Sequence, residues 1–358
     1  MRLKPSANWL LAFVPIAVAL ERVEGTSPAL VFFAAAIAIV PAAKLIVAGT
    51  EQIAKRTGDA VGGLLNATFG NLPELIIALM ALRAGLLDIV RASIIGAILA
   101  NLLLALGMAL LVGGVKHKDQ EFNAGAARVY SSMMLLAVIS LAGPAAYQRA
   151  FATEEFLPQV QAVNLRLALL LLAVYVLYLV FMLGTHRAQF ASGGHGDEHD
   201  EGHAWSVPRA LGTLVGASVL AAWMSEILVG AAEGTGEALG MSQTFIGMIL
   251  VAVVGGAAES LSAISAGSRN KVDLTLGIVY GSCIQIALFV APALVIASRF
   301  IAPVPLDLSF GRVDLVLLFL AVLIGGAVAN DGRGNWFKGA QLLAFYLMIG
   351  VLLYFVPS

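Results

Sequence analysis

The sequence predicts an all-α polytopic membrane protein, and three observations support this fold class. Hydrophobic residues make up 60% of the 358 residues and charged residues 12%, whereas soluble domains contain about 25% charged residues. Many apolar runs reach the length of roughly 17–25 residues that crosses a bilayer as a helix. A motif ending in glutamate occurs once in each half of the chain, at the same place relative to the predicted helices.

Composition and charge also exclude several classes of function. The net charge of −1 gives no basic surface of the kind that a nucleic-acid partner requires. The single cysteine, Cys283, excludes an intrachain disulfide framework and a zinc cluster built from cysteines. We therefore expect membrane lipid around the protein, no nucleic-acid partner and no cofactor, and the sequence leaves the oligomeric state open.

Loop and turn signals between the apolar runs predict about eleven transmembrane helices. The first run is short and follows Arg2 and Lys4, as a signal peptide does, but ten further spans follow it, so we predict a retained helix. The predicted spans lie near residues 8–21, 28–49, 60–82, 87–114, 127–148, 163–184, 206–231, 241–267, 273–298, 312–330 and 337–356.

Lysine and arginine in the connections predict the orientation of the chain. The side that holds the N-terminus collects thirteen of these residues and the other side seven, and such residues are in excess on the cytoplasmic side of a membrane. We predict a cytoplasmic N-terminus and an outside C-terminus, in a bacterial cytoplasmic membrane.

An internal repeat relates the two halves of the chain. Gly70-Asn71-Leu72-Pro73-Glu74 matches Gly255-Gly256-Ala257-Ala258-Glu259 at an offset of 185 residues. Because each half has five spans, the halves have opposite orientations, as in many secondary transporters. The predicted units are an extra N-terminal helix (1–24), a first five-helix repeat (25–185), an acidic cytoplasmic linker (186–205) and a second five-helix repeat (206–358).

Glu74 and Glu259 occupy matching positions in the middle of predicted spans. An ionised carboxylate at that depth costs about 2.5–3.5 kcal/mol on insertion scales, so each glutamate needs a compensating role. A protonated structural glutamate is the simpler explanation for one such residue. Two of them at matching positions of an inverted repeat meet near the membrane midplane, which favours a shared cation site.

The residues before each glutamate supply backbone oxygens. Pro73 has no amide hydrogen, so the carbonyl of Phe69 loses its helical partner one turn before Glu74. Glycine weakens the same turn at Gly70 and, in the other half, at Gly255. Freed carbonyl oxygens beside a carboxylate suit calcium or another hard cation, although a proline kink that only eases packing is the simpler alternative.

Polar side chains in the following spans supply further candidate ligands. Asn101 lies in the fourth span, and Ser282 and Gln285 lie in the ninth. Interhelical hydrogen bonding is the alternative role for buried residues of these types. Asp88 and Asp273, which the repeat relates to each other, stand at span starts, where we predict that they cap helices.

With these motifs, the sequence resembles the calcium/proton exchanger family of the cation/calcium antiporter superfamily over nearly the whole chain. The matching residues are Gly49-Thr50-Glu51, Leu64 to Glu74 and Gly96 to Leu104 in the first half, and Gly255 to Glu259, Asn270 to Asp273 and Gly281 to Pro292 in the second.

The resemblance implies a calcium and proton antiporter with ten core helices and an alternating-access cation site formed by the two glutamate motifs. It includes Asn71 among the candidate metal ligands and implies that Glu51 and Glu233 couple protons to helix movement. The chain departs from the family pattern where Gly256, Ser260, Ala97 and Cys283 replace an asparagine, a histidine and two serines.

We therefore expect calcium/proton antiport, in which one calcium ion or protons neutralise both glutamates before the site crosses an occluded state. The alternative is a sodium-linked exchanger, of calcium or of protons, on the same scaffold. An intramembrane enzyme is disfavoured because no predicted span contains histidine. A metal sensor without transport is the remaining class.

The linker contains histidines at a spacing of four, with carboxylates between them. A solvated acidic connector is one interpretation, because glycines oppose a helix. The other is a cytoplasmic sensor, in which carboxylates gather calcium and imidazoles bind zinc or gain charge near their ordinary pKa of about 6.5. The residues concerned are His195, Asp197, Glu198, His199, Asp200, Glu201 and His203.

Overall fold

The computed structural model describes residues 7–57, 64–65, 68–151, 157–186 and 205–355. Within these ranges the fold is that of an all-α integral membrane protein, as predicted. Eight helices are long and apolar enough to cross a membrane. The number is nine if Ala232–Leu239 and Gln243–Gly255, which are bent by 118° at a short break, form one span.

The helices of the first half follow the predicted order. A 3₁₀ turn at Ala7–Ala12 precedes α1, and two stretches of π-helix interrupt or extend the longer helices. The elements are α1 (Phe13–Arg22), α2 (Pro28–Thr57), α3 (Leu72–Arg83), α4 (Leu87–Leu99), a π segment (Ala100–Ala105), α5 (Leu106–His117), β1 (Asp119–Glu121), α6 (Ala124–Phe151), α7 (Leu157–Leu179) and a second π segment (Val180–Thr185).

The helices of the second half include one clear break inside a predicted span, at Gly256. The elements are α8 (Val207–Gly230), α9 (Ala232–Leu239), α10 (Gln243–Phe245), a π segment (Ile246–Val251), α11 (Ala252–Gly255), α12 (Ala257–Ser268), α13 (Val272–Gln285), a π segment (Ile286–Val290), α14 (Ala291–Ile301), α15 (Arg312–Ala329), β2 (Arg333–Asn335) and α16 (Trp336–Tyr354).

Each predicted span corresponds to helical residues, but the count of eleven stays a prediction. The first helix has 10 α-helical residues, and α3 has 12, with part of the segment before it outside the described residues. The predicted span 241–267 is divided at Gly256, where α11 ends and α12 begins.

Glycines allow helices of opposite halves to pack with their backbones close together. A Cβ atom added at Gly96 of α4 would lie 2.1 Å from the carbonyl oxygen of Met248. A Cβ atom added at Gly49 of α2 would lie 3.2 Å from the carbonyl oxygen of Ala210 in α8. These contacts set how closely α4 approaches the π segment Ile246–Val251 and how closely α2 approaches α8.

A two-stranded antiparallel ladder, absent from the all-α prediction, joins two short connections. Asp119 pairs with Asn335, and Glu121 pairs with Arg333. Between them, the buried Gln120 side chain donates hydrogen bonds to the carbonyl oxygen of Gly267 (2.9 Å) and to Oδ1 of Asn270 (3.0 Å). The ladder forms because polar connections that emerge at one end of the bundle satisfy each other's backbone groups.

An ionic link joins the start of α4 to the connection between α14 and α15. Nη2 of Arg91 lies 2.6 Å from Oδ1 of Asp307, and Gln148 donates to Oδ2 of Asp307 at 3.0 Å. Burial opposes ionisation of Asp307, but hydrogen bonds from Ser309, Gln148 and Arg91 and the charge of Arg91 outweigh it. The pKa of Asp307 is therefore lowered from its ordinary value.

The predicted capping roles of Asp88 and Asp273 are wrong. Neither helix start has a side-chain cap bond among the described residues. Asp88 instead accepts a hydrogen bond from Arg91 (2.8 Å), and Asp273 accepts one from the backbone N–H of Asn123 (2.7 Å). Both aspartates lie inside the first helical turn, so their carboxylates extend to neighbouring groups.

Candidate functional site

Both glutamate motifs interrupt their helices at matching positions. In the first half, a turn at Gly70 and Asn71 precedes α3, which places Pro73 in its first turn, where proline needs no amide partner. In the second half, α11 ends at Gly255 and α12 begins after Gly256. The predicted weakening of these turns is thus present as helix breaks.

The breaks place each glutamate at the start of a helix within its predicted span. Glu74 lies in the first turn of α3 and Glu259 in the first turn of α12. The N-terminal end of a helix has unpaired amide groups and a partial positive charge, which favours a carboxylate there. Each half therefore presents its glutamate on the leading turn of a short helix.

Glu74 packs against the glycines of the opposite motif. A Cβ atom added at Gly255 would lie 3.0 Å from Cγ of Glu74, which is tighter than ordinary contact. A Cβ atom added at Gly256 would lie 3.5 Å from Oε1 of Glu74. The side chain of Glu74 in the first motif and the backbone of the second motif are thus in direct contact.

Four of the predicted site residues meet around the hydroxyl group of Ser282. Nδ2 of Asn101 donates to Oγ of Ser282 at 3.1 Å. The Ser282 hydroxyl lies within donating distance of Oδ1 of Asn71 (2.6 Å) and of Oε2 of Glu259. We call this set the Ser282 network; it contains Asn71 and Asn101 from the first half and Ser282 and Glu259 from the second.

Glu74 has a different environment from Glu259. Glu74 is 9% exposed, and neither of its carboxylate oxygens has a hydrogen-bond partner among the described residues. Glu74 lines a cavity whose other walls are mainly apolar, with Ser93 as the one polar neighbour in that lining. The remaining lining residues are Ile77, Ala78, Ile94, Ala97, Val251, Ala252, Ile286 and Val290.

Gln285 and Phe69 lie near this region in the chain but do not take part in the hydrogen bonds of the Ser282 network. Gln285 is buried in α13, one turn beyond Ser282, and its Nε2 has no partner within the part of the chain that the structure describes. Phe69 is partly buried directly before the break at Gly70. Their assignments as ligands stay predictions.

The two glutamates predicted for proton coupling lie at more exposed positions. Glu51 stands near the end of α2 on an exposed face. Glu233 stands in the first turn of α9, where Nε2 of Gln243 donates to its carboxylate at 3.2 Å. The histidines and carboxylates of the linker, 195–203, lie outside the described residues.

Residues that sequence reasoning did not select also contribute to the site. Ile286 and Ala97 both line the cavity beside Glu74. The offset of 185 residues is the signal that identifies them, because it relates Ala97 to Ser282 and Ile286 to Asn101. Across the described ranges, no three His, Cys, Asp or Glu side chains form a metal-binding group.

Comparison with known proteins assigns the chain to a family. The sequence model of the family described as sodium/calcium exchanger protein matches residues 27–184 and 209–355, on both sides of the linker. The chain belongs to this family. The family assignment confirms the resemblance that the motifs indicated, and both glutamate motifs lie inside the matched ranges.

Relatives within the sodium/calcium exchanger family are similar over almost their whole length. A Ca2+/H+ antiporter of Aphanothece halophytica is 39% identical, over 97% of this chain and 96% of the relative. The Ca2+/H+ antiporter ChaA of Bacillus subtilis is 40% identical, over 90% of this chain and 92% of the relative. The solved structure of native YfkE is 35% identical and has a TM-score of 0.84, covering 98% of this chain and 100% of that one.

Proposed function

We propose that the protein exchanges calcium ions for protons across the membrane by alternating access, with the cation held between Glu74 and Glu259. The observation that supports this most is the pair of matching helix breaks, each followed by a glutamate in the first turn. The contact of Glu74 with Gly255 and Gly256 brings the two motifs together. The names of the similar antiporters indicate that the two exchanged ions are calcium and the proton.

Charge neutralisation explains why such a site exchanges ions instead of leaking them. Two ionised carboxylates without a counter-ion are costly in a low-dielectric occluded state. One calcium ion compensates two negative charges, and so do two protons. Only the loaded forms then pass readily between the two membrane faces, which couples calcium movement to opposite proton movement.

Further ligands in the proposed site come from both halves. Calcium takes six to eight oxygen ligands, and we propose that Asn71, Asn101 and Ser282 contribute, with Gln285 and the backbone of Phe69, Gly70 and Gly255. The Ser282 network places three of these side chains within one set of hydrogen bonds. No step of this proposal needs a bound cofactor or an enzymatic reaction.

The proposed architecture is an N-terminal helix followed by two inverted five-helix repeats, joined by a cytoplasmic linker. The N-terminus is then cytoplasmic and the C-terminus outside, in a bacterial cytoplasmic membrane. Glu51 stands near the end of α2 and Glu233 near the start of α9, at an offset of 182 residues, which is three fewer than between the glutamate motifs. We assign to them the coupling of protonation to helix movement.

The alternative function is sodium-linked exchange, which the family description includes by name. Sodium coupling calls for additional oxygen sites beside the calcium site. Ala97 and Gly256 remove side-chain oxygens from the two motif regions, which favours the proton-coupled function.

Ion-gradient flux in proteoliposomes tests the proposed function. We expect calcium uptake driven by an opposed proton gradient with no sodium present. A sodium gradient of the same size, at equal pH on both sides, should drive little uptake. Uptake that follows the sodium gradient and ignores the proton gradient would support the alternative, and calcium binding without flux would support a sensor.

A further inference from the structure

The offset of 185 residues relates the environment of Glu259 to that of Glu74, position by position. The three partners in the Ser282 network are Asn71, Ser282 and Asn101. Their equivalents in the other half are Gly256, Ala97 and Ile286.

These three equivalents surround Glu74 in the structure. Ala97 and Ile286 line the cavity beside Glu74. Gly256 lies close enough that an added Cβ would be 3.5 Å from Oε1 of Glu74. Equivalent positions thus surround each glutamate, but the polar side chains of Asn71, Ser282 and Asn101 are replaced by glycine or by an apolar residue on the Glu74 side.

The loss of these side chains leaves the two carboxylates in unequal environments. Glu259 is restrained by a hydroxyl group that is itself bonded to two asparagines from the other half. Glu74 has two unpartnered oxygens and an adjoining cavity. A side chain without hydrogen bonds and with free space beside it has access to more rotamers than one held on several sides.

We propose that the cation site is one-sided: Glu259 is a fixed ligand, Glu74 is a movable ligand, and Ala97 and Gly256 are the positions that determine how tightly the cation is held. This inference rests on the proposed function and extends it. On the Glu259 side, protein oxygens complete the cation's shell. On the Glu74 side, water fills the places that serine and asparagine would take, so the ion exchanges more easily.

The structure allows polar side chains to be restored on the Glu74 side. The Cβ of an asparagine at position 256 meets neighbours at ordinary contact distances, 3.4 Å from the carbonyl oxygen of Ala252 and 3.5 Å from Glu74. Gly256 has a φ of −78°, which any residue adopts. Ala97 faces the same cavity as Glu74, which leaves space for a hydroxyl group.

The test compares the Ala97→Ser, Gly256→Asn double variant with the wild type in calcium affinity and in transport. Isothermal titration calorimetry of the purified protein gives the Kd for calcium, and proteoliposome uptake gives KM and kcat. We expect the double variant to bind calcium about tenfold more tightly, as one or two added polar ligands would produce. We expect its kcat to fall by a similar factor, because the cation leaves more slowly.

Ser282→Ala is the opposite change and should weaken calcium binding, because Glu259 loses its restraint. Ala105→Ser adds a hydroxyl to a fully buried alanine at the end of the π segment Ala100–Ala105 and serves as the matched control, with Kd and kcat unchanged. A double variant that folds and has the wild-type Kd and kcat would overturn the inference. Wild-type protein that binds no calcium would instead contradict the proposed function, so the two failures are distinguishable.

Discussion

Asn71 and Ser282 are 211 residues apart in the chain, and yet the hydroxyl of Ser282 lies 2.6 Å from Oδ1 of Asn71. Asn71 belongs to the break before α3, and Ser282 belongs to α13, one helix beyond the second glutamate motif. The contact joins the two halves of the protein at the carboxylate of Glu259. A change at either residue therefore acts on the opposite half.

The central prediction concerns the two motif glutamates. Glu74→Gln and Glu259→Gln should each abolish calcium flux, a loss of at least about 100-fold, because glutamine keeps the shape of the side chain and removes the charge that attracts the cation. Proteoliposome uptake measures the loss. Both variants should insert and remain monodisperse in detergent, and near-normal flux in either one would remove it from the site.

Glu237→Gln provides a control for these variants. Glu237 lies on an exposed face of α9, so neutralising it changes one carboxylate without touching the motifs. We expect its calcium flux to equal that of the wild type. A loss as large as in Glu74→Gln would mean that general charge, and not the site, controls transport.

A second prediction concerns the close contact between α4 and the π segment Ile246–Val251. Gly96→Ala introduces a Cβ atom 2.1 Å from the carbonyl oxygen of Met248, so the helices must separate at a cost of about 1–3 kcal/mol. Thermal stability in detergent, followed by fluorescence-detected size exclusion, should fall. Gly216→Ala, with no heavy atom within 4 Å of the added Cβ, should be neutral or stabilising. Equal melting temperatures for the Gly96→Ala and Gly216→Ala variants would contradict the close contact between α4 and the π segment.

A third prediction follows from the lowered pKa of Asp307. A carboxyl group with a lower pKa in the folded state contributes stability above its unfolded pKa of about 3.9, and this stability is lost as the pH falls through the folded pKa. Asp307→Asn should therefore lower the melting temperature by the same amount at every pH from about 5 to 8. The difference should begin to shrink at about pH 4, near the unfolded pKa, and should disappear only below the lower folded pKa.

Asp88, the more exposed ion-pair partner of Arg91, provides the comparison for Asp307. The side chain of Asp88 is 72% exposed, whereas that of Asp307 is 26% exposed, and exposed ion pairs contribute little. Asp88→Asn should therefore change the melting temperature less than Asp307→Asn. A larger effect at Asp88, or a difference at Asp307 that grows on acidification, would contradict this assignment.

The last prediction concerns the linker. Neutralising Asp197, Glu198, Asp200 and Glu201 together should shift the calcium and pH dependence of transport while exchange itself continues. Hydrogen bonds at the described end of the linker could transmit a change in the linker to α2. Gln52 accepts a hydrogen bond from the backbone N–H of Trp205 (3.0 Å), and Arg56 donates one to the carbonyl oxygen of Trp205 (2.7 Å). These contacts join the linker to α2 next to Glu51.

Uptake measured across a range of calcium concentrations and pH values tests the linker prediction. A control variant that neutralises Glu21 and Glu24, at and after the end of α1, should leave both dependences unchanged. Unchanged dependence in the linker variant would support a plain connector. Complete loss of flux in a well-folded linker variant would mean that the segment belongs to the transport pathway.

The sequence by itself determined the membrane class, the order of the helices and the two glutamate motifs. Sixty per cent hydrophobic residues leave few alternatives to a helical membrane protein. The motif match at a constant offset identified Glu74 and Glu259, and the proline and glycine residues predicted the breaks beside them. These features depend on local composition and spacing, which a linear chain displays directly.

The tertiary structure alone decided how the two halves meet. The contacts of Ser282 with Asn71 and Glu259, the ladder of Asp119 with Asn335, and the link between Arg91 and Asp307 all join residues that are far apart in the chain. It also separated the two glutamates, which look alike in the motifs, into one restrained and one unpartnered carboxylate. Sequence spacing cannot resolve this difference, because hydrogen bonds and cavities depend on side chains that different helices bring together.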